Sequence, residues 1–519
     1  MRAEEDNRPP MSATDTPEIT VQNNYDVLII GAGLSGIGAA CQLARECPGK
    51  RVGILERRHA IGGTWDLFRY PGIRSDSDMG TYGYQFRPWN EPKILADGAS
   101  IRRYVANTAR EYSIENKVQF GLKITRLEWS SPQERWIVTA LDESTGETRI
   151  FRSRFLLSCT GYYNHDEGYC PQFPGADDFK GLCIHPQHWP EGLNYRGKKV
   201  VVIGSGATAV TLVPSMVDDA AQVTMLQRSP SYIFSVPGSD KLSGTLRRFL
   251  PPNWVHGLAR SRQLVLERVI YKAARRWPNL IRNWLLARVQ KQLGEGFDMR
   301  HFTPNYMPWD QRICAVPDAD LFKAIRSGKA SVVTDEIDAF VQNGIRLKSG
   351  RTLEADIIIT ATGLQLQFLG GAELVVDGQL RPLGSLMTYK AVLLQDVPNM
   401  AMIFGYTNAS WTLKSDMASS YVCRLLKHMD SGKLTVATPR APAGAAAQGE
   451  TIFSALSSGY VRRGADRLPR QGRDLPWRVL HDYKRDRPML MKQPIDDGVL
   501  SFKAAPQRSS EPDLVMAAA

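Results

Sequence analysis

The clearest chemical signal in the 519-residue sequence is a glycine-rich turn between an apolar run and a helical pattern. The turn is a GxGxxG motif at Gly31, Gly33 and Gly36, directly after the apolar run 25–30. In such a turn the glycines allow a tight bend, a close approach of the backbone to a pyrophosphate, and close packing of helix on strand. Glu56 follows the next apolar run, where a carboxylate can accept hydrogen bonds from a ribose. These residues predict a dinucleotide site.

A second glycine turn follows the apolar run 199–203 and has the form GxGxxA. Its small residues are Gly204, Gly206 and Ala209. The next apolar run ends in Arg228 and Ser229, where the first unit has an acid. An arginine there can pair with a 2′-phosphate and a serine can donate to it, so this turn predicts NADPH binding. The alternative is that Arg228 is an ordinary surface arginine.

Two dinucleotide sites in one chain narrow the class, because one dinucleotide is then expected to be FAD and the other NADPH. Flavin disulfide reductases share this plan, but they need a close cysteine pair, and none of the seven cysteines forms a CxxC. The same absence argues against a zinc cluster, so no metal site is predicted. Flavin monooxygenases share the plan without the cysteine pair.

Residues 179–190, FKGLCIHPQHWP, match the pattern FxGxxxHxxxW(P/D) that marks Baeyer–Villiger monooxygenases. The matching residues are Phe179, Gly181, His185, Trp189 and Pro190. Upstream, GGTWDLFRYPGIRSD is similar to a second signature of that family and contains Trp65 and Asp76. The resemblance runs from about residue 25 to about residue 505. The chain therefore resembles the class B flavoprotein Baeyer–Villiger monooxygenases.

This resemblance implies roles for individual residues. Arg312 resembles the arginine that stabilises a flavin peroxide anion, and Asp76 the acid that orients it; a surface ion pair and a loop cap are the alternatives. Trp65 and Gly363, with residues 408–411, resemble segments that line the flavin. The fingerprint is a linker in the family, so His185 and Trp189 are expected to couple NADPH binding to domain movement.

The implied reaction is the NADPH- and O2-dependent conversion of a ketone to an ester through a C4a-peroxyflavin. Oxygenation of thioethers or thioamides is the further activity that the resemblance implies. Two alternatives stay open: a flavin monooxygenase that acts on sulfur or nitrogen, and a flavoprotein of low turnover associated with a membrane. The natural ketone or organosulfur substrate is not predicted.

Short apolar runs alternate with helical patterns, which predicts an α/β protein with two Rossmann-like domains, the second inserted into the first. We expect the FAD domain at residues 25–165 and 335–505, a linker with the fingerprint at 166–194, and the NADPH domain at 195–334. A helical insertion is expected at 240–300. Residues 1–24 are predicted to be a disordered extension and 506–519 a tail.

The net charge of +12 is concentrated in residues 241–300, which hold 13 Lys or Arg against 3 Asp or Glu. This window is compatible with peripheral contact with a membrane surface; the alternative is a solvated basic face on a cap over the substrate tunnel. No nucleic-acid module is recognised. No apolar stretch is long enough to span a bilayer, and no secretory signal is found. A cytoplasmic protein is therefore expected.

Overall fold

The computed structural model describes residues 23–442, 449–454, 456 and 458–505. The predicted extension, apart from Asn23 and Asn24, and the whole predicted tail lie outside these residues. Within them the chain forms an α/β fold with two main sheets, as predicted. Across the described ranges, no helix combines the length and the apolar composition that a membrane span requires.

The first sheet has eleven strands in the described part of the chain. Eight are hydrogen-bonded in the order Gln379–Leu380, Glu373–Val376, Leu122–Ser130, Arg135–Asp142, Thr148–Ser158, Asn24–Ile30, Val52–Leu55 and Val118–Gln119; the others are Thr388–Tyr389, Leu393–Leu394 and Met400–Met402. The strand Asn24–Ile30 lies between two parallel neighbours, and its last four residues are buried. Such a strand needs an apolar run, which the sequence provides.

The second sheet has five parallel strands in the order Ala330–Thr334, Gln222–Gln227, Lys199–Ile203, Ile357–Thr360 and Leu182–Ile184. Four small sheets complete the strands: Ile337–Val341 with Gly344–Leu347 and Thr352–Glu354, Ile233–Val236 with Cys314–Pro317, Tyr163–Gly168 with Leu364–Leu366, and Leu434–Pro439 with Leu500–Ala504. Buried apolar side chains cover both faces of each main sheet.

The α-helices of the described residues are Leu34–Glu46, Thr64–Leu67, Met79–Tyr82, Gly98–Glu111, Ala207–Met216, Lys241–Leu246, Pro252–Arg276, Pro278–Leu293, Asp320–Arg326, Trp411–Ser431, Gly459–Gly464 and Tyr483–Met491. Each glycine turn leads into a helix, as in a βαβ unit. The three helices between residues 241 and 293 form the predicted helical insertion.

The structure corrects the predicted domain boundaries at two places. Strand Ile357–Thr360 lies inside the second sheet, beside Lys199–Ile203, although residues 335–505 were expected in the first domain. Strand Leu182–Ile184, predicted as linker, forms the edge of the same sheet. The physical reason is that a short, fully apolar run can fill a central position in either sheet, and only strand pairing decides which. Residues 182–360 therefore contain all five strands of the second sheet.

Candidate functional site

The first glycine turn is shaped by close contacts that leave no room for side chains at Gly31 and Gly36. Gly31 has a φ of +102°, and a Cβ there would lie 2.6 Å from the Cys159 carbonyl oxygen. A Cβ on Gly36 would lie 1.8 Å from the Gly31 oxygen. Gly33 faces another glycine, since its Cβ would meet the Gly63 Cα at 3.5 Å. Two backbones without side chains thus form a cradle where a pyrophosphate can approach closely.

Glu56 stabilises this turn from the end of the neighbouring strand. One carboxylate oxygen accepts a hydrogen bond from the Ala32 amide at 2.6 Å, and the other accepts from the Arg58 amide at 2.8 Å. The side chain is buried, and burial raises its pKa. Each oxygen retains a second lone pair, so binding a ribose hydroxyl, as predicted, is compatible with these contacts.

A cavity of about 320 Å³ extends from the first glycine turn to the junction of the two domains. The first domain contributes Gly31, Gly33, Glu56, Trp65, Asp76, Tyr82, Tyr162 and Trp411 to its lining, and the second contributes Thr208, Thr211 and Arg312. The lining does not include Gly36, Gly363, the fingerprint residues or the residues predicted from the second turn. The structure thus brings together most of the residues predicted around the flavin, and the second turn reaches the same cavity through Ala207 and Thr208.

Arg312 reaches the cavity from the loop before strand Cys314–Pro317 of the second domain. Its Nη1 lies 3.8 Å from the Asp76 carboxylate, and its Nη2 donates to the Tyr162 hydroxyl at 3.4 Å. Its Nε is buried and has no hydrogen-bond partner among the described residues. The Tyr162 hydroxyl raises the pKa of Arg312, so the guanidinium stays cationic at all accessible pH values. It can therefore stabilise a negative charge that develops in the cavity.

Aromatic side chains surround this cation, and sequence reasoning missed three of them, namely Tyr82, Tyr162 and Tyr163. Tyr162 is buried, its hydroxyl lies 3.0 Å from that of Tyr163, and its ring stacks on Trp411 at a centroid distance of 5.2 Å. Trp65 donates to the Tyr82 hydroxyl at 2.9 Å. The available signal for Tyr162 was its place just after the carboxyl end of a strand parallel to the first, where ligands bind in α/β sheets.

The second glycine turn has the same backbone form in a more open setting. Gly204 has a φ of +143°, and a Cβ there would lie 2.4 Å from the Ala361 oxygen, whereas a Cβ on Gly206 would meet no heavy atom within 4 Å. Ala209 is fully buried. Arg228 and Ser229 are exposed at the end of the neighbouring strand, and the Arg228 side chain makes no ion pair in the part of the chain that the structure describes. This guanidinium is available to a phosphate.

The fingerprint residues, predicted to lie in a linker, flank strand Leu182–Ile184 and pack against the second domain. The Phe179 ring packs edge-on against Phe340, and a Cβ on Gly181 would lie 2.4 Å from the Asp356 oxygen. Trp189 is half-buried against the core of the second domain, and Pro190 is half-buried beside it. These contacts attach the fingerprint to the second domain.

His185 connects the fingerprint to the turn after strand Ile357–Thr360. The Gln187 amide donates to its Nδ1 at 3.2 Å, so its Nε2 carries the hydrogen and donates to the Gly363 oxygen at 3.1 Å. Burial lowers the pKa of this imidazole, which is consistent with a neutral ring. His185 is absent from the cavity lining, so its position fits domain coupling better than proton transfer to a substrate.

Comparisons with known proteins agree with this geometry. The model of the family described as flavin-binding monooxygenase-like matches residues 24–430. The chain is 59% identical to MymA of Mycobacterium tuberculosis over 491 residues, which is 94% of this chain and 99% of MymA. It is 50% identical to the FAD-containing monooxygenase EthA of the same organism over 485 residues, 93% of this chain and 98% of EthA.

Among solved structures, an oxidized steroid monooxygenase bound to NADP superposes with a TM-score of 0.74 at 20% identity. The match covers 93% of this chain and 100% of the other. At that identity the match shows the fold, and the fold is the predicted one with two dinucleotide-binding domains. The prediction of FAD and NADP as the pair of cofactors agrees with the names and contents of these proteins.

Proposed function

The chain belongs to the flavin-binding monooxygenase-like family and is an FAD-containing monooxygenase; we propose that it uses NADPH and O2 to convert ketones to esters. The supporting observation is the position of Arg312, a half-buried cation from the second domain that enters the cavity formed beside the first glycine turn. One oxygen atom enters the ketone, and the other leaves as water while NADPH is oxidised to NADP⁺.

The first glycine turn fits FAD, because Gly33 and Gly63 face each other without side chains and leave backbone that a pyrophosphate could approach closely. The second turn fits NADPH, with Arg228 and Ser229 positioned for the 2′-phosphate. When bound and reduced by NADPH, FAD supplies the electrons that activate O2.

The role of Arg312 follows from its charge and partners. Attack of an oxygen nucleophile on a carbonyl builds negative charge on the carbonyl oxygen, and a fixed guanidinium stabilises that charge. Asp76 and Tyr162 orient the guanidinium through its two terminal nitrogens, so its direction is set before substrate arrives. Oxygenation of sulfur does not build such an anion, and for this reason the ketone reaction is the one that the geometry favours.

The aromatic side chains of Trp65, Tyr82, Tyr162 and Trp411 have a separate task. They line the cavity beside the half-buried guanidinium, where a bound substrate would complete the exclusion of water. Exclusion of water strengthens the electrostatic interaction of Arg312 with developing charge.

The test is NADPH oxidation by the FAD-loaded chain with and without aliphatic and aryl ketones, with products identified by mass. We expect ketone-stimulated oxidation and an ester heavier than the ketone by one oxygen atom. Thioethers and thioamides form the second panel. Sulfoxides as the sole oxygenated products would replace the ketone proposal by heteroatom oxygenation, and slow oxidation that yields only hydrogen peroxide in both panels would contradict both.

A further inference from the structure

Large hydrophobic side chains are exposed at one place far more than elsewhere. Of the fourteen that are exposed among the described residues, ten lie between residues 242 and 284. We call them the apolar helix face: Leu242, Phe249, Trp254, Leu258, Val265, Leu266, Val269, Trp277, Leu280 and Trp284. Phe249 and Trp254 are 79% and 69% exposed. Exposed apolar side chains concentrated in one segment in this way are typical of an interaction site.

The spacing of these residues places them on one side of the long helix Pro252–Arg276. Trp254, Leu258, Val265 and Val269 follow one another at intervals of four, seven and four residues, which is one face of an α-helix. On the next helix, Leu280 and Trp284 are also spaced at an interval of four. These exposed apolar residues therefore project from one face of each helix.

The inward side of the long helix is fixed to the first domain. Arg260 is buried, and its Nη1 donates to the carbonyl oxygens of Gly80, Thr81 and Gly83 at 3.0, 3.3 and 3.1 Å. These residues belong to or follow the short helix Met79–Tyr82. Because the helix is anchored on this side, it cannot rotate to bury its outward apolar residues.

Cations accompany the apolar helix face. Arg248, Lys272, Arg276 and Arg288 are exposed and form no ion pair in the described part of the chain. The guanidiniums of Arg276 and Arg288 lie 5.8 and 5.1 Å from the ring centres of Trp277 and Trp284. Tryptophans interleaved with cations, next to aliphatic residues, are the composition of helices that lie in a membrane interface.

We propose that the apolar helix face docks on the surface of an anionic lipid bilayer. The aliphatic and aromatic side chains would enter the boundary between headgroups and acyl chains, and the cations would contact lipid phosphates. A symmetric contact with a second copy of the chain is the less favoured occupant, because it would place two basic surfaces of like charge against each other. The proposal is independent of the substrate of the enzyme.

The experiment is flotation of the FAD-loaded full chain with vesicles of phosphatidylcholine, with or without phosphatidylglycerol as the anionic lipid. We expect binding to the anionic vesicles, weaker binding to phosphatidylcholine alone, and release as salt is raised, because salt screens the charges. Trp254→Ser with Trp277→Ser should weaken binding by about tenfold. The matched control is Leu380→Ser with Leu475→Ser, two exposed apolar residues elsewhere, which should bind normally.

A charge series tests the second half of the proposal. Lys272→Gln with Arg276→Gln should weaken binding to anionic vesicles by about fivefold per charge. Arg467→Gln with Arg473→Gln removes two exposed arginines elsewhere and should have no effect. Retained FAD and an unchanged melting temperature show that each variant is folded.

Three results would overturn the proposal. One is absence of binding to anionic vesicles by the folded, FAD-loaded protein. Another is equal loss of binding in the matched control variants. The third is a dimer, detected by analytical ultracentrifugation, that the tryptophan variants convert to a monomer without any change in lipid binding; the face would then be an interface between copies of the chain.

Discussion

The two glycine turns share the first two glycines of their motif and a similar backbone, yet their surroundings differ. At the first turn Gly33 faces Gly63, and the buried Glu56 holds the loop through two backbone amides. At the second turn the space beside Gly206 is open, and Arg228 lies exposed. The motif therefore specifies the backbone, while its neighbours determine how deeply a ligand is enclosed.

This difference matches the roles proposed for the two dinucleotides. An enclosed site with a rigid loop suits FAD, which stays bound over many turnovers, because enclosure slows dissociation. An open site with an exposed cation suits NADPH, which must arrive and leave. The predictions below test this contrast, beginning with the largest effect.

Substitution of the corresponding glycine in each turn should affect different cofactors. In Gly33→Val the new side chain would occupy the pyrophosphate cradle, and we expect FAD binding to weaken on the order of a hundredfold. The matched variant Gly206→Val should retain FAD, because its Cβ meets no protein atom within 4 Å, and should raise the KM for NADPH. The absorbance ratio of flavin to protein measures the first effect. A fully yellow Gly33→Val protein would show that the flavin binds elsewhere.

Arg312 joins the two regions, because it extends from the second domain into the cavity beside the first turn. Arg312→Ala should lower the rate of ester formation by about a hundredfold, since one fixed electrostatic partner of the developing anion is lost. FAD content and reduction of FAD by NADPH, followed by stopped-flow absorbance, should remain. Arg312→Lys keeps the positive charge but loses the orientation by two partners. Its rate of ester formation should therefore lie between the rates of the unchanged protein and of the alanine variant. Unchanged ester formation by the alanine variant would exclude this role.

The second glycine turn should favour a nucleotide that carries a 2′-phosphate. Arg228→Ala should raise the KM for NADPH by about tenfold and leave that for NADH unchanged, because only NADPH carries the 2′-phosphate. Arg326→Ala removes another exposed arginine of the second domain and serves as the control. Equal changes for both nucleotides would contradict the assignment of Arg228.

The smallest expected effect is a change in the free energy of unfolding on substitution of His185. His185→Gln should lower the free energy of unfolding by about 1 kcal/mol at neutral pH. Because burial lowers the pKa of His185 in the folded state, its contribution is complete above the ordinary value of 6.5 and is lost as pH falls through the lowered pKa.

Urea unfolding of both proteins from pH 8 to pH 5 measures this difference, which should shrink on the acidic side. The comparison with the variant is needed because other buried histidines also titrate. A difference that grows as pH falls would show that the protonated imidazole is the stabilising form.

The sequence predicted those features that depend on short spacing. The glycine turns, the acid after the first unit and the helical insertion are local patterns, and the fold agrees with them. The pairing of Asp76 with Arg312 required a resemblance to a family, because the two residues are distant in the chain. Contacts between residues that are distant in the chain form only on folding, so local periodicity in the sequence does not predict them.

Two features could not be predicted for a related reason. Strand Ile357–Thr360 has an apolar run that suits either sheet, so its place in the second sheet was assigned wrongly. Tyr162 carries no motif of its own, and its contact with Arg312 depends on how the two domains meet. Both depend on pairing between distant segments, which composition does not reveal.

The inserted domain begins with strand Leu182–Ile184 and ends with strand Ile357–Thr360, and these strands are hydrogen-bonded neighbours. A module whose two ends lie side by side can be gained or lost with little cost in loop-closure entropy. The closeness of its two ends also makes the inserted domain suitable for exchange between related proteins. Chimeras that join the chain at these two strands would transfer the nucleotide preference of a relative together with its part of the cavity, Arg312 included.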